Sequence, residues 1–421
     1  MSTLTADVVI VGGGQAGPAT VWALEKLEPR LKIVLVEAQR QLAAGASTAS
    51  LEAFRSAWMP RAIAEQMRRS LQVFLNADEH LGEGASSALN LRRRGYLWLG
   101  LNEDDAPPLR RRVARLHEWG LKHVRSLGAA DVRAEFPWLP EHVAAAQLDP
   151  LAGWLDSNAL ARLLARATRR TTLLLATPAL AIITEKGRVT GVLTTQGAIA
   201  SRAVVVAAGA GSRRLGRTAG IEIPVVVRPR QSAFTPYRHP QIPADAPLVI
   251  GRWPYPHFRP EGDGMVLAWS YAWLGRGAAG RRVAEWVEPV WPVEKLRDYR
   301  FPELTLYLLG KQFRYSAGEG FRDPAYLRRP LRHHVAYYVH REPTVAEDGE
   351  RLHSERAIID AVPEVEGLFV NVAHGGHGIM TAPAAGEIMA ALVLGRQPGV
   401  PLWQDFGWKV KSLPHEESSG L

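Results

Sequence analysis

The sequence predicts an α/β protein, α+β when taken as a whole, in which one parallel sheet is built from distant parts of the chain. Three glycine-rich fragments carry this prediction: VVIVGGGQAG at 8–17, VVVAAGAGS at 204–212 and HGGHGIMTAPAAGE at 374–387. Each contains or follows a short apolar run that is typical of a buried strand. Because long stretches separate the fragments, we expect a second, mainly antiparallel β domain to be inserted between them.

The first fragment predicts a Rossmann-like dinucleotide site. Residues 7–37 have the pattern strand, glycine turn, helix, strand. In Gly12-x-Gly14-x-x-Gly17 the first glycine permits the turn, the second lets a pyrophosphate approach the backbone, and the third lets helix and strand pack closely. The helix that begins around Gln15 and Ala16 presents free N–H groups to the phosphates.

An acidic residue closes the second strand of this unit. Glu37 follows Gly17 by 20 residues and is next to Ala38. A carboxylate at this position accepts hydrogen bonds from the adenosine ribose and disfavours a 2′-phosphate. The alternative is a glycine-rich turn without a ligand, but the flanking strand, helix and acid favour a bound dinucleotide.

The remaining elements follow from periodicity and turn residues. We expect helices over 49–75, 107–127, 157–169 and 382–394, and strands over 90–100, 171–207, 223–272 and 368–372. We expect the nucleotide-binding domain to comprise 1–85, 150–222 and 345–405, the second domain 86–149 and 223–344, and a C-terminal tail 406–421. The pattern of 276–330 predicts no role for that segment.

Composition excludes several kinds of chemistry. The 421 residues include no Cys, which rules out disulfides, thiolate catalysis and Cys-ligated metals. The net charge of +9 comes with 43 Arg scattered in twos and threes, so we expect an anionic small molecule rather than a nucleic acid as partner. The histidine spacing matches no metal site.

The hydropathy pattern predicts neither a membrane span nor a signal peptide. No stretch approaches the roughly 20 uninterrupted apolar residues of a spanning helix. Few residues precede Val8, and the apolar run that begins there ends at once in glycines. We therefore expect a cytoplasmic protein.

Taken together, the three fragments resemble the D-amino-acid oxidase-like superfamily of FAD proteins, which includes glycine and sarcosine oxidases and bacterial amino-acid dehydrogenases. The resemblance extends from Ala6 to about Gly395, through GASTASLEAFR at 45–55 and FRPEGDGMVL at 258–267. It implies an FAD-binding domain and an interleaved substrate domain. Where some sarcosine oxidases carry a covalent linkage this chain has Ser47 and Thr48, which implies noncovalent FAD.

The resemblance also implies which residues hold the cofactor. Glycines of the third fragment would bring backbone amides close to the flavin ring, and the helix after them would direct its positive end at the pyrimidine side, where reduced flavin carries negative charge. The expected FAD contacts are Gly12, Gly14, Gln15, Ala16, Gly17, Glu37, Ala38, Gly45, Ala46, Ser47, Thr48, Ala179, Ala208, Gly209, Gly375, Gly376, His377, Gly378 and Ile379.

The substrate residues are predicted from the chemistry of amine oxidation. A neutral amine is held with its C–H over flavin N5 and loses a hydride, so an amino acid needs a cation for its carboxylate. Arg55 is the first candidate, because sarcosine-oxidase-like relatives have a substrate-binding arginine at the corresponding helix position; the alternative is a surface arginine. By strand alternation His257 and Arg259 share a face, and His374 and His377 flank the glycines.

The predicted function is FAD-dependent oxidation of a C–N bond of an amino acid or secondary amine, which gives an imine that hydrolyses. The expected electron acceptor is oxygen, a quinone or a protein, and the absence of lysine between Lys186 and Lys295 favours the last two. One alternative is an FAD monooxygenase, although Gly262-Asp263-Gly264 lies in the wrong part of the chain for that class. Another is a non-catalytic flavoprotein subunit, because Gly211 and Met380 depart from the family pattern.

Overall fold

A computed structural model describes residues 4–166, 171–251, 255–269, 288–313, 332–345, 351–352 and 354–411. Two large sheets dominate this part of the chain, one mainly parallel and one mainly antiparallel, and helices cover them. The predicted mixed α/β fold is confirmed. The segment 276–330 and the end of the predicted strand region 223–272 lie partly outside the described residues.

The parallel sheet is assembled from distant fragments, as the three motifs predicted. Its strands, numbered in chain order, are β2 (Val8–Val11), β3 (Ile33–Val36), β9 (Thr171–Leu174), β13 (Val204–Val206), β21 (Ile358–Ala361) and β22 (Leu368–Val372). Their order in the sheet is β21-β22-β13-β2-β3-β9, with β21 antiparallel to β22 and the other pairs parallel. Every residue of β2, β3 and β13 is buried, which explains their unbroken apolar sequences.

The second large sheet takes all its strands from 96–149 and 225–341. They are β5 (Tyr96–Gly100), β6 (Arg125–Gly128), β7 (Ala145–Asp149), β14 (Val225–Thr235), β15 (Leu248–Ile250), β16 (His257–Glu261), β17 (Gly264–Trp269) and β18 (Arg332–Arg341). Their order is β18-β14-β17-β16-β15-β5-β7-β6, and only the pairing of β15 with β5 is parallel among these described strands.

Smaller elements complete the described fold. The remaining strands are β1 (Leu4–Thr5), β4 (Ala53–Phe54), β8 (Gly153–Trp154), β10 (Ala179–Glu185), β11 (Arg188–Thr194), β12 (Gly197–Ala200), β19 (Thr344–Val345) and β20 (Arg351–Leu352). The helices are α1 (Ala16–Leu27), α2 (Arg61–Leu75), α3 (Ala77–Leu81), α4 (Ala85–Ala88), α5 (Ala106–Glu118), α6 (Ala129–Glu135), α7 (Ser157–Leu164), α8 (Ser212–Thr218), α9 (Phe301–Phe313) and α10 (Gly378–Val393). In the described chain no helix combines the length and the apolar character needed to cross a bilayer.

One predicted helix is wrong in a way that matters for the site. The apolar spacing over 49–75 predicted a single helix, but α2 begins only at Arg61, directly after Pro60. Proline disfavours helical backbone in the residue before it. The chain upstream forms β4 instead, which pairs with β8. Arg55 therefore lies in an extended segment and not on a helix.

Residues from the predicted C-terminal tail contact the body of the protein. The buried Arg341 at the end of β18 donates from Nη1 to the Val410 carbonyl over 3.0 Å and from Nη2 to the Gly407 carbonyl over 3.1 Å. The backbone N–H of Trp408 donates to Asp360 Oδ2 over 2.8 Å. The described part of 406–421 is thus bound to both β18 and β21.

Candidate active site

Three glycines of the turn after β2 differ in their surroundings: two are closely packed against backbone, and one borders open space. A Cβ built on Gly12 would overlap the Ala207 carbonyl, and one on Gly17 would overlap the Gly12 carbonyl. A Cβ on Gly14 would meet no described heavy atom within 4 Å. The N-cap residue Gln15 makes no side-chain cap hydrogen bond, so it leaves the first-turn N–H groups of α1 without a side-chain acceptor. This arrangement fits a pyrophosphate.

Glu37 stands beside this turn, where the sequence placed it. Its Oε2 accepts the Gly13 N–H over 2.5 Å and its Oε1 accepts the Gln39 N–H over 2.7 Å. Each carboxylate oxygen has a second lone pair, so a ribose hydroxyl can still donate to it. The neighbouring Ala38 is exposed, and Thr177 N–H donates to the Glu37 carbonyl over 2.8 Å, which brings the start of β10 at Ala179 towards the same edge.

Other residues predicted to contact the cofactor lie near the glycine turn at 12–17. Gln15 is buried, with Nε2 donating to the Ser157 carbonyl over 2.7 Å and Oε1 lacking a partner among the described atoms. Thr48 Oγ1 donates to the Ala43 carbonyl over 2.5 Å, and Ala43 N–H donates to the Gly13 carbonyl over 2.8 Å. The turn with Gly45, Ala46 and Ser47 is thereby folded towards the glycine turn, and Ala208 and Gly209 lie at the end of the adjacent β13.

The third fragment begins with a loop, residues 374–377, between β22 and α10; we call it the closing loop. Gly375 has φ +50°, and its N–H donates to the Val339 carbonyl over 2.8 Å. A Cβ on Gly375 would lie 3.0 Å from His340 Cε1, and one on Gly376 would lie 3.0 Å from Tyr338 Cε2. The closing loop therefore packs on β18 of the antiparallel sheet. The helix starts at Gly378, four residues earlier than predicted, and its second residue, Ile379, is buried.

The two histidines of the closing loop differ in their surroundings. His374 Nε2 is 2.9 Å from Asn371 Oδ1, and burial, together with the charge of His377, lowers the pKa of His374 to about 4. His377 Nδ1 is 2.9 Å from the His374 carbonyl oxygen, and His377 Nε2 is 3.1 Å from Glu355 Oε2. The His377 ring also contacts the Trp58 ring edge to face, with 4.6 Å between centroids.

Arg55 is a buried cation and not a surface arginine. It is 3% exposed, and its Cζ lies 3.5 Å from the Trp58 ring centroid and 4.7 Å from that of Tyr96. Its Nη1 donates to the Tyr96 hydroxyl over 2.5 Å. Burial lowers the pKa of Arg55, but a guanidinium stays protonated in proteins. The aromatic rings thus hold a positive charge close to the closing loop.

A buried carboxylate fixes the extended segment that carries Arg55. Asp149, at the end of β7, is fully buried, and its Oδ2 accepts the N–H groups of Ser56 and Ala57 over 2.8 and 3.0 Å. The Ser56 hydroxyl also donates to this oxygen over 2.8 Å and lies 2.6 Å from His123 Nε2. Sequence reasoning missed Asp149 and Ser56, because their hydrogen bonds form only when β7 packs next to the segment after β4.

On β16 the predicted alternation is observed. Phe258 packs in the core on one face of the sheet, and His257 and Arg259 point to the other face. Burial, with the charge of Arg55 as a second cause, lowers the pKa of His257 to about 4. Arg259 is engaged elsewhere, since its Nε donates to the Leu51 carbonyl over 2.7 Å and it pairs with Glu52 and Glu261. The structure therefore brings His257, but not the guanidinium of Arg259, towards Arg55.

Several site residues were not predicted. Trp58, Tyr96 and Glu355 come from three different parts of the chain and share no sequence pattern. Tyr338 and His340 are weaker sequence candidates, and they alternate on β18. Tyr337, their neighbour, faces the other way and donates its hydroxyl to the Val290 carbonyl over 2.9 Å. In the described ranges no three His, Asp or Glu side chains converge as a metal site would require.

A dinucleotide turn on a parallel sheet, with an antiparallel sheet over a glycine loop, defines the two-sheet class of flavin oxidoreductases. Comparison with protein families matches residues 7–392 to the family described as FAD dependent oxidoreductase. The chain belongs to this family, and its cofactor is FAD. The resemblance inferred from the three fragments is confirmed.

One relative matches most of the chain, and another matches only a short segment. Glycine oxidase of Pseudomonas putida is 25% identical over 94% of this chain and 96% of its own length. A local match of 51% identity over 41 residues covers 10% of this chain and 6% of a tRNA 5-methylaminomethyl-2-thiouridine biosynthesis bifunctional protein of Chromobacterium violaceum.

Two solved structures share the fold. L-proline dehydrogenase from P. horikoshii has a TM-score of 0.77 at 19% identity, with 97% of this chain and 98% of that chain covered. Glycine oxidase from Geobacillus kaustophilus has a TM-score of 0.73 at 21% identity, with 96% and 99% covered. At these identities the likeness shows the fold.

Proposed function

We propose that this protein oxidises the C–N bond of an amino acid or secondary amine to an imine, which water then hydrolyses. The observation that carries this proposal is the buried guanidinium of Arg55 close to the closing loop. A fixed cation in an aromatic, water-poor site binds a substrate carboxylate strongly. The names of the relatives, two glycine oxidases and an L-proline dehydrogenase, support the same substrate class.

The cofactor would be held noncovalently across the parallel sheet. The pyrophosphate would lie at Gly14 and the first turn of α1, the ribose at Glu37, and the flavin ring against the closing loop. The open space at Gly14 and the unpartnered Oε1 of Gln15 support this placement. When bound, FAD supplies the acceptor for a hydride. The remaining contacts are proposed at Ala16, Ala38, Gly45, Ala46, Ser47, Thr48, Ala179, Ala208, Gly209, Gly375, Gly376, His377, Gly378 and Ile379.

The residues of the chain would act on the substrate by orientation. Arg55 pairs with its carboxylate, and the rings of Trp58 and Tyr96 exclude water from this ion pair. His257 stays neutral in its buried position and adds no charge that would compete for the carboxylate. Arg259 positions the segment with Leu51 and Glu52 instead of binding substrate.

The electron acceptor is proposed to be a quinone or a protein in preference to oxygen. Certain oxidases of the family have a lysine on the strand that corresponds to β17, where this chain has Met265, Val266 and Leu267. We also propose that the two sheets correspond to an FAD-binding and a substrate domain with the boundaries predicted above, and that the protein acts in the cytoplasm.

Anaerobic flavin bleaching tests the function directly. A pool of L-, D- and N-methyl amino acids should bleach the yellow protein, and splitting the pool then identifies the substrate. Arg55→Met should raise the substrate concentration for half-maximal bleaching by about 100-fold, because it removes a charge-assisted pair. The exposed Arg93→Met is the matched control and should behave as wild type.

Two results would contradict this assignment. A yellow protein that no member of the pool bleaches would favour the monooxygenase or the non-catalytic subunit. An Arg55→Met variant with unchanged half-maximal concentration would remove Arg55 from the substrate site. Admission of air after bleaching reports on the acceptor, and reoxidation as fast as turnover would overturn the preference for a quinone or protein.

A further inference from the structure

Both ring nitrogens of His377 face hydrogen-bond acceptors. Nδ1 is 2.9 Å from the carbonyl oxygen of His374, and Nε2 is 3.1 Å from Oε2 of Glu355. A neutral imidazole has a single N–H and would direct a lone pair at one of these two oxygens. Only the doubly protonated ring donates to both. The Glu355 side chain is 30% exposed and water can reach it, but the His377 side chain is only 3% exposed, so water does not relieve the mismatch at the imidazole ring.

The state of Glu355 agrees with this geometry. Burial acts to raise the pKa of Glu355, but the hydrogen bond from His377 and nearby positive charge hold the pKa at about 2. The carboxylate is therefore ionised at neutral pH and requires a donor. Among the described residues the titratable and charged groups facing this pair are Arg55, Arg228, Tyr338, His340 and His374.

The two neighbouring histidines stay uncharged. Burial lowers the pKa of His340 to about 3 and that of His374 to about 4. His377 is the histidine of this trio whose two ring nitrogens both face acceptors, the His374 carbonyl oxygen and the Glu355 carboxylate. It is also the N-cap residue of α10, so its charge adds to the positive end of that helix.

We infer that Glu355 is a positioning residue that holds His377 as an imidazolium in the closing loop. The functional consequence of this inference rests on the proposed function, because the flavin ring is proposed to lie against the closing loop. A fixed positive charge there stabilises negative charge on the reduced cofactor. Glu355 acts only through His377, which distinguishes it from a residue that touches cofactor or substrate.

The protonation state can be measured without reference to activity. Protein labelled with ¹⁵N-histidine, flavin-loaded and flavin-free, should show an imidazolium pattern for His377 at neutral pH, with the resonances assigned by His377→Gln. Glu355→Gln should convert this pattern to that of a neutral ring, and Glu355→Asp should restore it in part. A neutral His377 in the unmodified protein would overturn the inference.

Sulfite binding to the flavin-loaded protein, read from the loss of flavin absorbance, tests the consequence. Glu355→Gln should weaken sulfite binding about tenfold, which corresponds to about 1.4 kcal/mol of binding free energy. Glu364→Gln removes the same charge at an exposed position and should leave sulfite binding unchanged. Equal sulfite affinity in Glu355→Gln and unmodified protein would overturn the electrostatic role. A chain that binds no flavin overturns the proposed function, whereas the NMR pattern of the flavin-free protein still decides the state of His377.

Discussion

Single residues in the glycine turn have different physical roles. Gly12 and Gly17 are required by the backbone, since a side chain at either position would overlap a carbonyl oxygen. Gly14 borders open space, so nothing in the described protein explains its lack of a side chain. The pattern Gly-x-Gly-x-x-Gly therefore combines two folding requirements with one that belongs to the ligand.

Gly14→Ala should separate folding from cofactor binding. The free energy of unfolding of the flavin-free protein should stay within about 0.5 kcal/mol of wild type, because the new methyl group meets no neighbour. The flavin dissociation constant, measured by quenching of flavin fluorescence, should rise at least about tenfold, since the methyl group occupies the place of the pyrophosphate. Gly17→Ala is the contrasting variant and should unfold at a lower denaturant concentration, because its methyl group would overlap the Gly12 carbonyl. Unchanged flavin affinity in Gly14→Ala would mean that the pyrophosphate lies elsewhere.

Among the elements, α1 and α10 determine how the glycine turn and the closing loop face each other. The two helices pack with a close backbone approach at Gly386, where a Cβ would overlap the Ala19 carbonyl. Each helix begins at one of the two glycine-rich motifs, so their contact fixes the spacing of both cofactor-binding ends. Arg69 on α2 strengthens this layer through a two-pronged ion pair with Glu387 on α10, in which Nε lies 2.8 Å from Oε2.

Gly386→Ala should therefore disturb both motifs at once. Forcing the helices apart should lower the free energy of unfolding by about 1–3 kcal/mol and weaken flavin binding with it. Urea unfolding monitored by circular dichroism, with and without added FAD, measures both effects. The control is Gly399→Ala, which is exposed and has no heavy atom within 4 Å of a built Cβ. Wild-type stability in Gly386→Ala would show that the helices can separate at no cost.

At the scale of the whole molecule, the site lies where the antiparallel sheet covers the closing loop, and titratable groups are buried there. His257 and His340 are each 9% exposed, and burial lowers their pKa values to about 4 and about 3. Both come from the antiparallel sheet, on β16 and β18. The unfolded chain therefore binds protons at these two side chains at pH values where the folded protein does not, so folding excludes those protons.

This exclusion predicts how stability depends on pH. Between about pH 6.5, the usual histidine value, and about pH 4, the unfolded chain binds more protons than the folded one, so the free energy of unfolding falls as the pH falls. Each of the two histidines should contribute a decline of about 1 kcal/mol per pH unit within this window and nothing above it. Urea unfolding at a series of pH values should show a shallower decline for His257→Asn. An identical slope in that variant would contradict a neutral, buried His257.

The sequence alone determined the class of fold and the nucleotide end of the site. Glycine turns, buried apolar strands and an acid at fixed spacing are local patterns, and local backbone geometry is sufficient to produce them, as β2, α1 and Glu37 show. Alternation on β16 also placed His257 and Arg259 on one face. The extended segment at Arg55 was missed, because its conformation depends on pairing with β8, about 100 residues further along the chain.

Only the tertiary structure decided which side chains meet. It placed Arg55 among Trp58 and Tyr96, engaged Arg259 with Leu51, Glu52 and Glu261, and gave His377 the carboxylate of Glu355. These contacts join parts of the chain with no common sequence pattern, so no periodicity encodes them. Charge and hydrogen-bonding state at the site depend on burial and on such partners, and both exist only after the two sheets have packed together.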